Sequence, residues 1–268
     1  MNCENCENNE RNRMMGYQID MKNVCYTSRT HSHKVLNNIS LTITQGSFVA
    51  VVGSNAAGKS SLLKAIAGEL TLNSGEVKIG GRVIDKPVNR KIDGVGIVHQ
   101  DESTDLIEHV SVAQNIAIRQ ICCKGHPCKI WSNSEKWKRD ISSKLASIKG
   151  FSPPDLDQKV KYLSGGVKQQ LNVAIAIHLE HNNTPSRLLL LDEHTSKLDT
   201  TNASTIMDFT AYEIKSNGIT ALMVTHRLSD AIKYTDRILI MLNGTLAEDI
   251  NNDGSITVQD LEAKIRSK

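Results

Sequence analysis

The sequence has 268 residues, of which 39% are apolar and 23% charged, and a formal net charge of +3. That length suits one large domain or two small ones with an ample core, in an ordinary globular composition. The net charge is too small to argue for nucleic acid, and no dense basic block supports it, so no nucleic-acid partner is expected. No apolar run approaches the roughly 18 residues that cross a membrane. Met1-Asn2-Cys3-Glu4-Asn5-Cys6-Glu7 lacks the charged start and apolar stretch of a signal peptide. The chain is therefore expected to stay in the cytosol, with any membrane part supplied by another chain.

Residues 1–16 are rich in Asn, Glu and Arg and read as a disordered tail. Strand patterns follow at Ile19–Tyr26, at Val35-Leu36 and at Ile39–Ile43, with Thr44–Ser47 as a turn. Phe48–Val52 is a short apolar run leading into Gly53-Ser54-Asn55-Ala56-Ala57-Gly58-Lys59-Ser60, and Ser61–Ala67 has helical spacing. The loop fits G-x-x-x-x-G-K-[ST], the phosphate-binding pattern, in the strand-to-helix context that the pattern requires. Gly53 and Gly58 let the backbone curl so that successive N–H groups face phosphate oxygens. The following helix adds its own unpaired N–H groups and dipole. Lys59 would reach the β- and γ-phosphates and the Ser60 hydroxyl would bind Mg²⁺, with Ser61 next to them. A glycine turn that merely ends in Lys-Ser is the plainer alternative, and the flanking strand and helix argue against it. The loop points to a nucleoside triphosphate.

Asn73-Ser74-Gly75 reads as a turn, Glu76–Ile79 and Arg82–Ile84 as a hairpin around Gly80-Gly81, and Val95–His99 as a strand ending at Gln100. From 101 to 185 the pattern turns helical, at Val110–Ile121, Glu135–Ile148 and Leu171–Leu179, broken at Gly125-His126-Pro127 and Ser152-Pro153-Pro154. Strands return at Leu188–Leu191, Thr220–Val224, Arg237–Leu242 and Thr245–Ala247, with helices at Thr201–Lys215 and after Val224. Strands alternating with helices predict an α/β fold with a mainly parallel sheet.

Two further stretches carry chemistry. Leu188–Leu191 runs into Asp192-Glu193, and a parallel strand delivers its last residues to the same edge as the phosphate loop. Asp192 can hold Mg²⁺ through water and Glu193 can orient and deprotonate an attacking water; alone, such a pair is commonly a solvated strand end. Ser164-Gly165-Gly166 opens an apolar helix whose free N–H groups can hold a phosphate oxygen, although by itself Ser164 would be a plain N-cap. Six cysteines are expected to be thiols. Cys3-x-x-Cys6 and Cys122-Cys123-Lys124-Gly125-His126-Pro127-Cys128 could join in a zinc site, against which stand the polar tail and the irregular spacing.

With the loop, the Asp-Glu strand and Leu163-Ser164-Gly165-Gly166 together, residues 17–265 resemble the ATP-binding cassette (ABC) ATPases. The resemblance implies a P-loop NTPase core of residues 17–100 and 186–268 with a mainly parallel sheet, an antiparallel β subdomain, and a helical subdomain over 101–185. It implies ATP and Mg²⁺ as ligands, and a head-to-tail dimer in which Ser164, Gly165 and Gly166 of one subunit close over ATP on the other. Gln100 stands where the family's glutamine touches Mg²⁺ and the attacking water. Asp199, in Ser196-Lys197-Leu198-Asp199, matches the loop that crosses the dimer interface, and His226 matches the histidine at the γ-phosphate. Tyr26 is a candidate adenine platform, with Ser28 as the alternative position and burial in its strand as the plainer role.

Ala56 replaces a usual glycine, which is tolerable if its φ is negative. Val167-Lys168-Gln169-Gln170 replaces the usual Gln/Arg-rich tail of the signature, and His194 stands where proline is common. The Asp-Glu-His-Thr variant resembles a subgroup of bacterial importers linked to amino-acid-like substrates, tryptophan among them. The implied function is the ATP-hydrolysing subunit of a bacterial importer, at the cytoplasmic face of the plasma membrane, serving separate permease subunits and indirectly a solute-binding protein. The alternatives are a soluble ABC ATPase of another machine, such as iron–sulphur cluster assembly, and a regulatory ATP sensor. Gln100 and residues 101–137 are the expected permease-docking surface, with Trp131 and Trp137 either as anchors or packed within the insertion.

Overall fold

The computed structural model describes residues 16–28, 34–84, 94–124, 134–179 and 186–266. Residues 1–15 of the expected tail and the Cys3, Cys6, His126, Cys128 and Trp131 positions lie outside them, whereas Gly16 is buried, with its amide donating to Gly218 O at 2.9 Å. In chain order the strands are β1 (Ile19–Thr27), β2 (Lys34–Ile43), β3 (Phe48–Gly53), β4 (Ser74–Ile79), β5 (Arg82–Val83), β6 (Val95–Val98), β7 (Leu188–Asp192), β8 (Thr220–Val224), β9 (Arg237–Leu242) and β10 (Thr245–Asn251). The helices are α1 (Lys59–Ile66), α2 (Glu102–Asp105), α3 (Val112–Lys124), α4 (Glu135–Ser147), α5 (Gly165–Ala174), α6 (Thr200–Ser216), α7 (Leu228–Tyr234) and α8 (Val258–Arg266).

The strands sort into two sheets. An antiparallel sheet runs β2-β1-β4-β5, and a six-stranded sheet runs β10-β9-β3-β8-β7-β6. In the larger sheet only β10 is antiparallel to its neighbour. Side chains of β3 are buried along its apolar run, because the sheet is covered on both faces. Alternate residues enter different cores, as the two-residue period of a strand demands. Val49 and Val51 pack with Ile19, Leu36, Leu62 and Ile66, between the sheets and around α1. Phe48, Ala50 and Val52 pack on the other face with Ile116, Leu145, Leu171 and Met207, from α3, α4, α5 and α6.

Several boundaries differ from those expected. Val35-Leu36 and Ile39–Ile43 belong to one strand, β2, whose interruption is the left-handed Asn38 at φ +53°. Ser74, expected in a turn, already begins β4. The helix opened by Ser164 runs from Gly165 as expected, and its end, Ile175–Leu179, widens into a π-helical turn. There Ser186 donates from Oγ to Ala176 O at 2.5 Å and from its amide to Ile177 O at 2.8 Å, the kind of outside insertion that loosens a helical ladder. β10 runs on to Asn251 because backbone pairing with β9 holds it, while its half-exposed side chains carry little apolar signal. Helix α8 was not expected, since Leu261 is its one buried residue. Trp137 is partly buried against the helical core, which is the packed alternative for that residue.

Gly53 closes β3 at φ +151°, and a Cβ there would lie 2.1 Å from Met241 O of β9. Gly53→Ala should therefore cost about 2–3 kcal/mol through overpacking and backbone strain. Chemical denaturation of the variant would show it, and an unchanged midpoint would contradict the packing.

Candidate active site

The parallel register brings the carboxyl ends of β3, β6, β7 and β8 to one edge. That edge collects Gly53, Gln100, Asp192-Glu193 and His226. After β3 the chain turns through Ser54–Ala57, with Ala57 N donating to Ser54 O at 3.3 Å, and enters α1 behind Gly58. Gly58 sits at φ +96°, where a Cβ would meet Val35 O at 2.6 Å. Ala56 has φ +61°, so the condition of a negative φ, under which alanine would sit there without strain, is not met. A left-handed alanine costs about 1–2 kcal/mol. The turn between β9 and β10 helps hold the loop in this shape, through Gly244 N to Ala57 O at 3.1 Å. The amides of Asn55, Ala56 and Gly58 have no backbone acceptor among the described residues, which suits them to an anion.

Lys59 is 6% exposed, and its ammonium donates to Gly53 O at 3.0 Å and Ser54 O at 2.8 Å. Burial lowers its pKa, opposed by the charges of Glu193 and Asp192. Ser60 Oγ donates to Asp192 Oδ1 at 3.0 Å, tying the loop to the end of β7. Burial raises the Asp192 pKa; the Ser60 bond works against this and the Glu193 charge adds to it.

Glu193 is left-handed at φ +47° and is anchored by its amide to Val224 O at 3.0 Å. Its carboxylate is gripped from two sides, by Gln100 Nε2 at 3.0 Å and by His226 Nε2 at 2.7 Å. Three strand ends thus converge on one carboxylate whose side chain remains 13% accessible. The arrangement can bind phosphates at the loop and hold a basic oxygen beside them.

Ser164, Gly165, Gly166 and Asp199 form a second group. Ser164 caps α5, its Oγ accepting from Val167 N at 3.4 Å. Asp199 caps α6, accepting from Asn202 N at 3.1 Å and Asn202 Nδ2 at 2.5 Å. Asn202 also flanks Gly166, where a Cβ would lie 3.5 Å from Asn202 Oδ1. The sequence reading missed Asn202, although an Asp followed three residues later by a polar side chain is a helix-start signal. Ser61 stands in the first turn of α1. Tyr26 is half-buried and packs against the core between the sheets.

A sequence model of the ABC transporter family matches residues 36–196, spanning the loop, the Ser164 helix and the Asp-Glu strand. The chain belongs to this family. A tyrosine transport ATP-binding protein of Clostridioides difficile is 29% identical over 233 residues, covering 86% of this chain and 90% of that one. The thiamine import ATP-binding protein ThiQ of Photobacterium profundum is 30% identical over 234 residues, covering 85% and 89%. Among solved structures, the dimeric post-hydrolysis state of the ATP-binding cassette MJ0796 bound to ADP and Pi aligns with a TM-score of 0.72 at 25% identity, over 88% of this chain and 99% of that one. A nucleotide-free cassette from an ABC transporter aligns at 0.74 and 22% identity, a likeness of fold. The cassette is thus an ATPase with the P-loop α/β fold.

Beside the carboxylates of this cassette lies His194, 4% exposed, with Nε2 lacking a hydrogen-bond partner among the described residues. Burial lowers its pKa from 6.5 to about 4. The unfolded chain therefore binds a proton between those values that the native state refuses. Stability is complete above pH 6.5 and falls as pH drops towards 4, by up to about 3 kcal/mol, then levels off for this residue. Urea titrations of the nucleotide-free cassette across that range should show the loss, and His194→Leu should remove most of it. A His194→Leu curve with the same slope as the native one would contradict the burial argument.

Proposed function

We propose that the cassette is the ATP-hydrolysing subunit of an importer, working head-to-tail with a second copy beneath separate permease subunits at the cytoplasmic face of the membrane. The observation that carries the reading is the Glu193 carboxylate, held between Gln100 and His226 one residue from the Asp192–Ser60 bond. In this reading the amides of Gly53–Ser61 and the Lys59 ammonium bind the β- and γ-phosphates. Glu193 takes the proton of the water that attacks the γ-phosphorus, the bond to the ADP oxygen breaks, and ADP and phosphate leave. Gln100 and His226 orient the carboxylate, and His226 also meets the γ-phosphate.

Mg²⁺ fits the donors present. Ser60 Oγ and Asp192 Oδ1 are hard oxygens 3.0 Å apart, and Gln100 keeps a carbonyl oxygen while its amide serves Glu193. Bound there, the ion would neutralise phosphate charge. Among the described residues no group of three or more His, Cys, Asp or Glu could hold a metal by itself, so phosphate and water would complete the shell.

Ser164, Gly165, Gly166 and Asp199 are assigned to the facing subunit's nucleotide, since the start of a ten-residue helix suits a phosphate oxygen. Residues 101–185 are read as the helical subdomain and 101–137 as the face towards the permease, where Ile107 and Ile118 are 48% and 37% exposed. Among the described residues no helix is long and apolar enough to cross a membrane. The relatives are named for tyrosine transport and thiamine import. Solute choice in this reading belongs to the permease and a solute-binding protein.

Glu193→Gln should keep ATP binding and slow turnover by about a hundred- to ten-thousand-fold, the usual contribution of base catalysis. ATP-saturated Glu193→Gln should elute as a dimer in light scattering; a monomer would count against the head-to-tail arrangement. Lys59→Ala should weaken ATP binding sharply in a titration with Mg²⁺. Native-like affinity in that variant would remove the loop from the site.

A further inference from the structure

A buried polar cluster lies just behind Gln100. Asp105 of α2 has a fully buried side chain. Its Oδ2 accepts from the His99 amide at 2.8 Å and from Asn172 Nδ2 at 3.0 Å. Its Oδ1 pairs with His99 Nδ1 at 2.8 Å and lies 3.8 Å from Arg119 Nη1. Arg119 of α3, itself 5% exposed, donates to Asn172 Oδ1 at 2.6 Å and to Ile97 O at 3.3 Å. Asn172 is fully buried on α5, the helix that Ser164 caps. Burial pushes the Asp105 carboxyl up, but the His99 bond and the Arg119 charge outweigh it and hold the group below its ordinary range.

Burying a carboxylate and a guanidinium costs several kcal/mol per ion, and well-packed apolar residues often do as well for stability. What the cluster adds is direction. Every contact made by Asp105, Arg119 and Asn172 in it runs between different elements, and two of them end on the backbone of β6 and the residue after it. One peptide further along is Gln100, whose amide holds Glu193 at 3.0 Å.

We infer that Asp105, Arg119 and Asn172 are positioning residues for ATP hydrolysis, fixing the chain at His99 so that Gln100 reaches Glu193 and joining that point to the helix capped by Ser164. The inference rests on the role proposed above for Gln100. Asn172 is the joint of the cluster, since its amide bonds both the anion and the cation. A helix carrying Ser164 that shifts by a fraction of an ångström therefore pulls on Asp105, and through it on His99 and Gln100. Occupancy of the surface at Ser164 is in this way reported to the carboxylate of the same subunit through four side chains.

The test is a double-mutant cycle in the assembled ATPase, with thermal unfolding measured on every variant. Asn172→Ala should lower kcat about tenfold, with KM for ATP unchanged within about twofold. Asp105→Asn preserves shape and loses the charge facing Arg119; it should behave alike and serves if Asn172→Ala does not fold. In a Gln100→Ala background, Asn172→Ala should slow kcat by less than about twofold further, because both act through one group. An equal loss in both backgrounds, or a raised KM with unchanged kcat, would overturn the inference and leave the Gln100 reading standing. Gln100→Ala with native kcat would overturn the Gln100 reading and the inference with it.

Discussion

One hydroxyl bond joins the phosphate loop to the carboxylates of the site, Ser60 Oγ to Asp192 Oδ1 at 3.0 Å. It ties the phosphate loop to the end of β7 across the intervening β8, two strands away in the sheet. The loop alone is a strained turn, with Ala56 left-handed and Lys59 folded back on Gly53 and Ser54 carbonyls. Set against Asp192, it gains a second fixed point in a rigid sheet. The same strand end carries Glu193, so the distance between phosphate loop and basic oxygen is set by sheet geometry rather than by loop sampling. Preorganisation of this kind moves little during reaction, which is where electrostatic catalysis draws its strength.

Left-handed residues mark where that geometry is imposed. Ala56 and Glu193 are both at positive φ without being glycine, and each adopts a conformation that is costly on its own. Glu193 persists in it because its amide is bonded to Val224 O and its carbonyl accepts from Ser196 N at 2.9 Å. The turn re-aims the carboxylate away from the strand's alternation and into reach of Gln100 and His226. Both residues belong to the loop and strand end that hold the candidate chemistry, consistent with strain being tolerated where it positions function.

The sheet and the order of its stations were legible because they rest on short-range rules. A strand buried on both faces is apolar throughout, as Leu188–Leu191 is, and a loop that wraps phosphate needs glycines at fixed spacing. What escaped was set by tertiary partners. Nothing local in Asn37-Asn38 says that β2 continues through a left-handed residue, and α8 rests on a single buried leucine. The φ of Ala56 could not follow from alanine's own preference, because the loop's bonds to Gly244 and to α1 decide it. Asn202 looked like one more polar helix residue until the fold set it between Asp199 and Gly166. The buried cluster at Asp105 was equally silent, since a carboxylate in a polar stretch reads as solvated until helices close over it.

That cluster changes how the two surfaces of the chain relate. Lys59, Asp192 and Glu193 lie on the sheet edge, whereas Ser164 heads α5, whose apolar residues pack in the core on one face of that sheet. An apolar core couples such parts only through shape, and apolar contacts tolerate sliding by small amounts. Hydrogen bonds between buried charged groups do not, because a displaced partner leaves an unpaired charge in a low-dielectric interior. Asp105 and Arg119 therefore convert a yielding contact between α5 and β6 into a stiff one. A head-to-tail dimer would then have a reason to carry a stiff link within each subunit. The helix that meets the neighbour's nucleotide would share a rigid line with the glutamine that holds its own Glu193, so closure at one site would align the carboxylate at the other.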